Sequence, residues 1–204
     1  MKKILHLCAD IGSDSQPYRD AGYEVICVGS DVGVENFSPP PDVYGIIANP
    51  PCTHFSIART IAKTPRDLRE GMRLVKECLR IIWECNYRME EGTRTSPLKF
   101  WAIENPATGL LKNFLGNPAY SYCPSEFGAN FTKRTALWGY FNPPPKPFFL
   151  MNPLRNASLA SGRGEHGNPI MKYKGTFKEK RMAQMHDRSR VYLPFAKAFF
   201  ESNP

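Results

Sequence analysis

A chain of 204 residues, 42% of them apolar, can bury one substantial core, yet it holds no run near the roughly 20 apolar residues that a membrane span requires. The formal charge of +8 points to an anionic partner. Six cysteines (8, 27, 52, 78, 85 and 123) without CxxC spacing weigh against both a disulfide framework and a zinc site. Met1-Lys2-Lys3 runs directly into apolar Ile4-Leu5, with no long apolar leader, so a cytoplasmic protein with no membrane partner is expected.

Residues 3–9 form a short apolar run that predicts the first strand, and the turn-rich Asp10-Ile11-Gly12-Ser13-Asp14-Ser15 follows it. A short helix is expected through Pro17 to Ala21, closed by Gly22. Residues 24–29 predict strand two, and Tyr44 to Ala48 strand three. Asn49-Pro50-Pro51-Cys52 ends that strand abruptly, because proline has no N–H for the ladder. Cys52 therefore stands just past the carboxyl end of a strand, the edge where open α/β sheets bind ligands.

Leu68, Met72, Val75, Leu79 and Ile82 recur at helical spacing, so a long amphipathic helix is expected within 66–90, with Thr64-Pro65-Arg66-Asp67 as its start. Cys78 and Cys85 fall on it. Phe100 to Ile103 predicts strand four, ended by Glu104-Asn105-Pro106. A short helix near Gly109 to Phe114 and a strand within 132–141 follow. The six prolines and four glycines of 142–175 predict loops, and 178–200 reads as two helical pieces separated at Pro194. Alternating strands and helices argue for an α/β fold with a parallel sheet.

Charge is distributed unevenly. Residues 1–60 hold four Lys or Arg against seven Asp or Glu, whereas 142–182 hold eight against two. That basic tract suits nucleic acid; a solvated loop is the plainer alternative.

Cys52, Glu104 and Lys133-Arg134 all stand at strand ends. If they converge, they can activate a pyrimidine at carbon 5: a thiolate adds to carbon 6, an acid assists at N3, and a cation steadies charge near O2. Plainer readings are a packed thiol at Cys52 and a capping or paired carboxylate at Glu104. The aromatic residues Tyr140, Phe141, Phe148 and Phe149 read as core before they read as a stacking platform.

Pro51-Cys52, Glu104-Asn105 and Thr132-Lys133-Arg134-Thr135 resemble three signature blocks of the DNA cytosine-5 methyltransferases. The likeness is closest to the compact phage-type members, through Pro50 to Ser56, Glu104 to Pro106 and Lys133 to Trp138. It implies a Rossmann-like class I methyltransferase fold, a mostly parallel sheet flanked by helices. It also implies methyl transfer from S-adenosylmethionine to carbon 5 of cytosine in DNA, in the cytoplasm of a bacterial or phage-infected cell. By this resemblance Cys52 is the nucleophile, Glu104 the N3 partner and Arg134 a supporting cation; Asn105 steadies the Cys loop. Pro50, Ser56, Lys133 and Thr135 complete the substrate side. Cys8, Ala9, Asp10, Ile11, Gly12, Ser13, Asp31, Asn49 and Pro51 form the cofactor side.

Two features depart from the family pattern. Asp10 replaces the first glycine of the cofactor loop, and Gly29 stands where an acidic residue is expected after strand two, with Asp31 two places on. Little chain remains for target recognition: residues 1–141 read as the catalytic core, 142–185 as a small basic insertion contacting DNA, and 186–204 as a helix packing back. Two alternatives stay open. One is carbon-5 modification of a nucleotide, RNA or single strand, or with another donor; the other is a degenerate member that only binds DNA or a partner.

Overall fold

The computed structural model describes residues 1–9, 12–57, 59, 62–87, 89–90, 93–94, 98–129, 131–147 and 191–204. The apolar runs become strands β1 (Lys3–Leu7), β2 (Glu24–Val28) and β3 (Val43–Ala48), with helix α1 (Gln16–Asp20) between the first two. Helix α2 (Leu68–Asn86) follows, then the two-residue strands β4 (Met89–Glu90) and β5 (Thr93–Arg94), which pair as a hairpin. Strand β6 (Phe100–Pro106), helix α3 (Lys112–Leu115), strand β7 (Tyr120–Tyr122), a 3-10 turn at Pro124–Phe127, strand β8 (Thr135–Tyr140) and helix α4 (Leu193–Ser202) complete the order.

Six strands form one mixed sheet in the order β2-β1-β3-β6-β8-β7. The first four are parallel, β8 runs antiparallel to β6, and β7 antiparallel to β8. The architecture is α/β. The chain leaves β1 toward one side to form β2 and then crosses to the other side for β3. The carboxyl ends of β1 and β3 are therefore neighbours from which the connections diverge, the crevice position of open α/β sheets.

Strand alternation divides the core between the two faces of the sheet. Leu5, Leu7, Ile46, Ala48, Ile103 and Trp138 meet Val75, Cys78, Ile81, Ile82 and Cys85 of α2. Ile4, Ile47, Phe100, Ala102 and Leu137 meet Phe195, Ala196 and Phe199 of α4, together with Tyr18 of α1. Each large apolar side chain so buried contributes about 1.5–3 kcal/mol. Gly45 makes room for the Phe100 ring; a Cβ there would lie 2.2 Å from it.

Several boundaries move from their expected places. The α2 helix starts after Asp67, whose carboxylate accepts the Glu70 N–H at 2.9 Å, so Pro65 precedes the helix rather than opening it. Its buried stripe runs through Gly71, Val75, Cys78, Ile82 and Cys85, while Leu68, Met72 and Leu79 pack at the margin. β7 replaces an expected loop; only three residues long, it carries too little pattern to be read. Pro194 lies in the first turn of α4 instead of separating two helices, where its missing N–H costs nothing. The expected first piece, 178–190, and all of the basic tract beyond residue 147 lie outside the described residues. The 191–204 segment does pack back on the sheet, and Asn203 exchanges two hydrogen bonds with the backbone of Asn142. No described helix is long and apolar enough to cross a membrane.

Candidate active site

The turn after β3 is fastened from several sides. Asn49 N–H still donates to Leu7 C=O, extending the β1 ladder by one rung. Pro50 is buried, and its carbonyl accepts a 2.9 Å bond from Asn105 Nδ2 at the end of β6. Beyond it the chain tightens, with both Phe55 and Ser56 N–H groups donating to Cys52 C=O. Phe55 is fully buried and its carbonyl accepts from Leu110 N–H. Arg66, just ahead of α2, donates to His54 C=O at 2.6 Å and Ser56 C=O at 3.1 Å. His54 Nδ1 accepts the Asp67 N–H, which makes it a loop anchor. Pro51 and Cys52 are left exposed at the apex.

Successive residues of β6 point to opposite faces. Asn105 is buried on the α2 side, where its side-chain amide holds the Pro50 carbonyl two residues ahead of Cys52. Glu104 points to the α4 side, into a pocket of about 330 Å³, part of it open to solvent. Ile47, Ala102, Leu137, Phe195 and Phe199 make most of its wall, and the two carboxyls facing it belong to Glu104 and Asp14.

The charges around this pocket are coupled. Burial pushes the Glu104 carboxyl above its ordinary range, Lys133 pulls it back, and Asp14 pushes it up further. Loss of water likewise raises the Cys52 thiol, the Glu104 charge adds to that, and Lys133 opposes it. Cys52 is nonetheless exposed, and exposure decides whether a reagent reaches the sulfur. A thiol, a carboxyl and an ammonium thus act on one another across one strand-end cluster. The cation in that cluster is Lys133. Arg134, expected as the supporting cation, is exposed, and its carbonyl accepts Ala107 N–H. Thr135 is fully buried and its hydroxyl donates to Lys133 C=O at 2.9 Å, which fixes the backbone that carries the lysine.

The loop after β1 lies beside this cluster. Asp14 is buried; Ser13 Oγ donates to one carboxylate oxygen at 3.0 Å, and Asn49 Nδ2 to the other at 2.8 Å. Ser13 Oγ in turn accepts Val191 N–H at the approach to α4. His6, in mid-β1, is buried, with Nδ1 against Ser15 Oγ at 2.9 Å. The Ser15 hydroxyl proton goes to Gly12 C=O, so Nδ1 carries the imidazole hydrogen and Nε2 is a bare, unpartnered nitrogen. Burial holds this imidazole below its ordinary range.

On the expected cofactor side, Cys8 adopts φ +56° with its sulfur 3.9 Å from that of Cys78, and Ala9 N–H donates to Val28 C=O. Gly12 is buried at φ +69°, and the Arg19 guanidinium lies 3.1 Å from where a Cβ would stand. Arg19 also donates to Cys27 Sγ. Asp31 is exposed beyond β2, and among the described residues no hydrogen bond joins it to the cluster. Asp10 and Ile11 lie outside the described residues.

Sequence reasoning missed Asp14, Arg66 and the α4 wall. Asp14, in the loop after β1, could have been found as an acid on the connection that leaves a strand's carboxyl end. Arg66 acts on backbone carbonyls and leaves no motif. Compared with known proteins, the chain matches no family model and no curated protein.

Proposed function

We propose that this chain is a Rossmann-like methyltransferase acting on carbon 5 of cytosine in DNA, with Cys52 as the nucleophile. The observation that carries the reading is the convergence of Cys52, Glu104 and Lys133 at adjacent strand ends, with Asn105 holding the Pro50 carbonyl. The parallel strands run in the order β2-β1-β3-β6, and the cluster stands at the crevice where such sheets place ligands.

The Cys52 thiolate adds to carbon 6 of the ring, and the electron pair displaced from the double bond makes carbon 5 nucleophilic. Burial raises the Glu104 carboxyl and so favours its protonated form, the form that donates toward N3 and assists that addition. Lys133 compensates negative charge on the thiolate and on the ring. Once carbon 5 carried the methyl group, loss of its proton to solvent would restore the double bond as the carbon 6–sulfur bond breaks and Sγ leaves as the thiolate. The ring must leave the duplex, or be single-stranded, to reach Cys52. The expected DNA contact is the basic 142–182 tract, most of which lies outside the described residues.

S-adenosylmethionine fits the crevice in one checkable respect. Gly12 presents a face without Cβ, and what covers that face is the flexible end of an exposed arginine rather than backbone. Cys8, Ala9, Gly12, Ser13, Asn49 and Pro51 would hold the cofactor, which supplies an electrophilic methyl group when bound. Arg19 over Gly12 also favours a second reading, pyrimidine modification with a different donor.

The test is incubation with DNA and methyl-labelled S-adenosylmethionine, followed by nucleoside mass spectrometry. Label at cytosine carbon 5, lost in Cys52→Ser, is the expected result. DNA binding without label in either protein would overturn methyl transfer from S-adenosylmethionine and leave the reading with another donor and the binding alternative.

A further inference from the structure

Asp14 is the carboxyl that the catalytic reading does not use. It is buried, faces the same pocket as Glu104, and accepts hydrogen bonds only from neutral donors, Ser13 Oγ and Asn49 Nδ2. No cationic side chain lies within ion-pair distance of it among the described residues. Asn49 is the residue from which the Pro50-Pro51-Cys52 turn departs, and Ser13 is tied to Val191 ahead of α4. One carboxylate therefore links the loop after β1, the nucleophile turn and the C-terminal helix.

We infer that Asp14 is a positioning residue for this site: it holds Asn49, and with it the Cys52 turn, and it acts on the Glu104 carboxyl across the pocket. The inference rests on the reading of Glu104 as the acid of the site. Two buried carboxyls facing one apolar pocket do not both ionise readily, because each charge is poorly hydrated and repels the other. Asp14 has two fixed donors, whereas among the described residues no hydrogen bond reaches the Glu104 carboxyl. The Glu104 carboxyl is accordingly pushed up by burial, with Asp14 adding to the push.

The other groups around this pair are few. Lys133, ahead of β8, pulls the opposite way on Glu104, and Cys52 is the thiol on the adjoining turn. From β7, Tyr122 feels both carboxyls and is held well above its ordinary range, hence uncharged. From β1, His6 is influenced by Asp14 but is held neutral by burial. Among the described residues, the α4 side contributes Val191, Phe195, Ala196 and Phe199. Burial is the largest influence on Glu104 among the described residues, followed by Lys133 and then Asp14.

Carbon-13 NMR of the Asp and Glu side-chain carboxyls, followed across pH in the native chain and in Asp14→Asn, tests this without donor or DNA. The amide oxygen of asparagine can still receive Asn49, while the charge is gone. The expected result is a Glu104 midpoint that moves to lower pH in Asp14→Asn, with an unchanged backbone spectrum from Asn49 to Ser56. Asp14→Ala should additionally shift those backbone resonances, because it removes the acceptor as well. In the native chain, the Asp14 carbon should show an inflection at the Glu104 midpoint, a readout that needs no variant to fold. A native Asp14 carbon blind to the Glu104 titration, or a Glu104 midpoint unmoved in Asp14→Asn, overturns the inference. Failure of methyl transfer would sink the enzymatic reading and leave these carboxyl titrations standing.

Discussion

Burial raises the Cys52 thiol most, and the charges of Glu104 and Lys133 then act on it in opposite senses. Lys133 favours the thiolate; Glu104, once ionised, disfavours it. Lys133→Met should therefore slow alkylation of Cys52 by iodoacetamide several-fold at mildly alkaline pH, measured by peptide mass spectrometry; an unchanged rate would remove Lys133 from the site. Glu104 makes a different prediction, about stability. Its carboxyl is raised in the folded state, so the native chain keeps this proton to higher pH than the unfolded chain does. The associated stability is present below the ordinary glutamate value of about 4.3 and is lost as pH rises through the raised one. In urea unfolding over that window, Glu104→Gln should flatten the decline. The thiol's place could be read from the sequence because prolines follow the end of β3; the acid was expected past a strand ending at Ile103, whereas β6 runs on through Pro106 and carries Glu104 within it. The choice of Lys133 over Arg134 could not be read: it depends on which of two adjacent side chains the start of β8 turns inward, and no spacing rule decides that for residues just outside a strand.

At the scale of elements, the Cys52 turn is held by pieces distant in sequence. Asn105 holds Pro50, Arg66 holds His54 and Ser56, and Leu110 holds Phe55. Asn105→Ala leaves a buried carbonyl without its donor and should cost about 1–3 kcal/mol. Denaturant unfolding checks the loss, and it should be accompanied by a broadened Cys52 backbone resonance. β1, β2, β3 and β6 were readable because each is a dense apolar run ended by a turn former. The centre of α2 was readable too, with Val75 and Ile82 on its buried stripe. The stripe's exact phase was not: Cys78 and Cys85 pack as small apolar groups, while Leu68 and Leu79 fall at the edges of the contact. β7 went unread because three residues with one buried tyrosine do not make a pattern.

For the molecule as a whole, the order of the parallel strands brings the ends of β1, β3 and β6 together, and it is this crossing that collects residues near positions 14, 52 and 104. Composition and periodicity foretold an α/β class; which strands become neighbours is settled by long-range packing, and the antiparallel return through β8 was beyond them. His6, in the middle of the sheet, ties global stability to acid. Its folded value is depressed, so the stability it contributes is present above about 6.5 and is lost as pH falls through the lower folded value. His6→Gln should remove that acid-side loss in thermal melts, at the cost of a poorer fit beside Ser15.

The α4 helix closes one side of the pocket and is moored by Asn203 to Asn142 and by the Tyr18 hydroxyl to the Asn203 carbonyl. A ligand that touches Phe195 and Phe199 therefore cannot bind without also gripping the tail. Linkage makes that grip mutual: whatever affinity is forfeited when the tail lifts must reappear as slower tail opening when the ligand is present. Amide exchange along residues 195–202 should thus slow on ligand addition, and Asn203→Ala should weaken ligand affinity from a distance, without a change in the pocket's own lining.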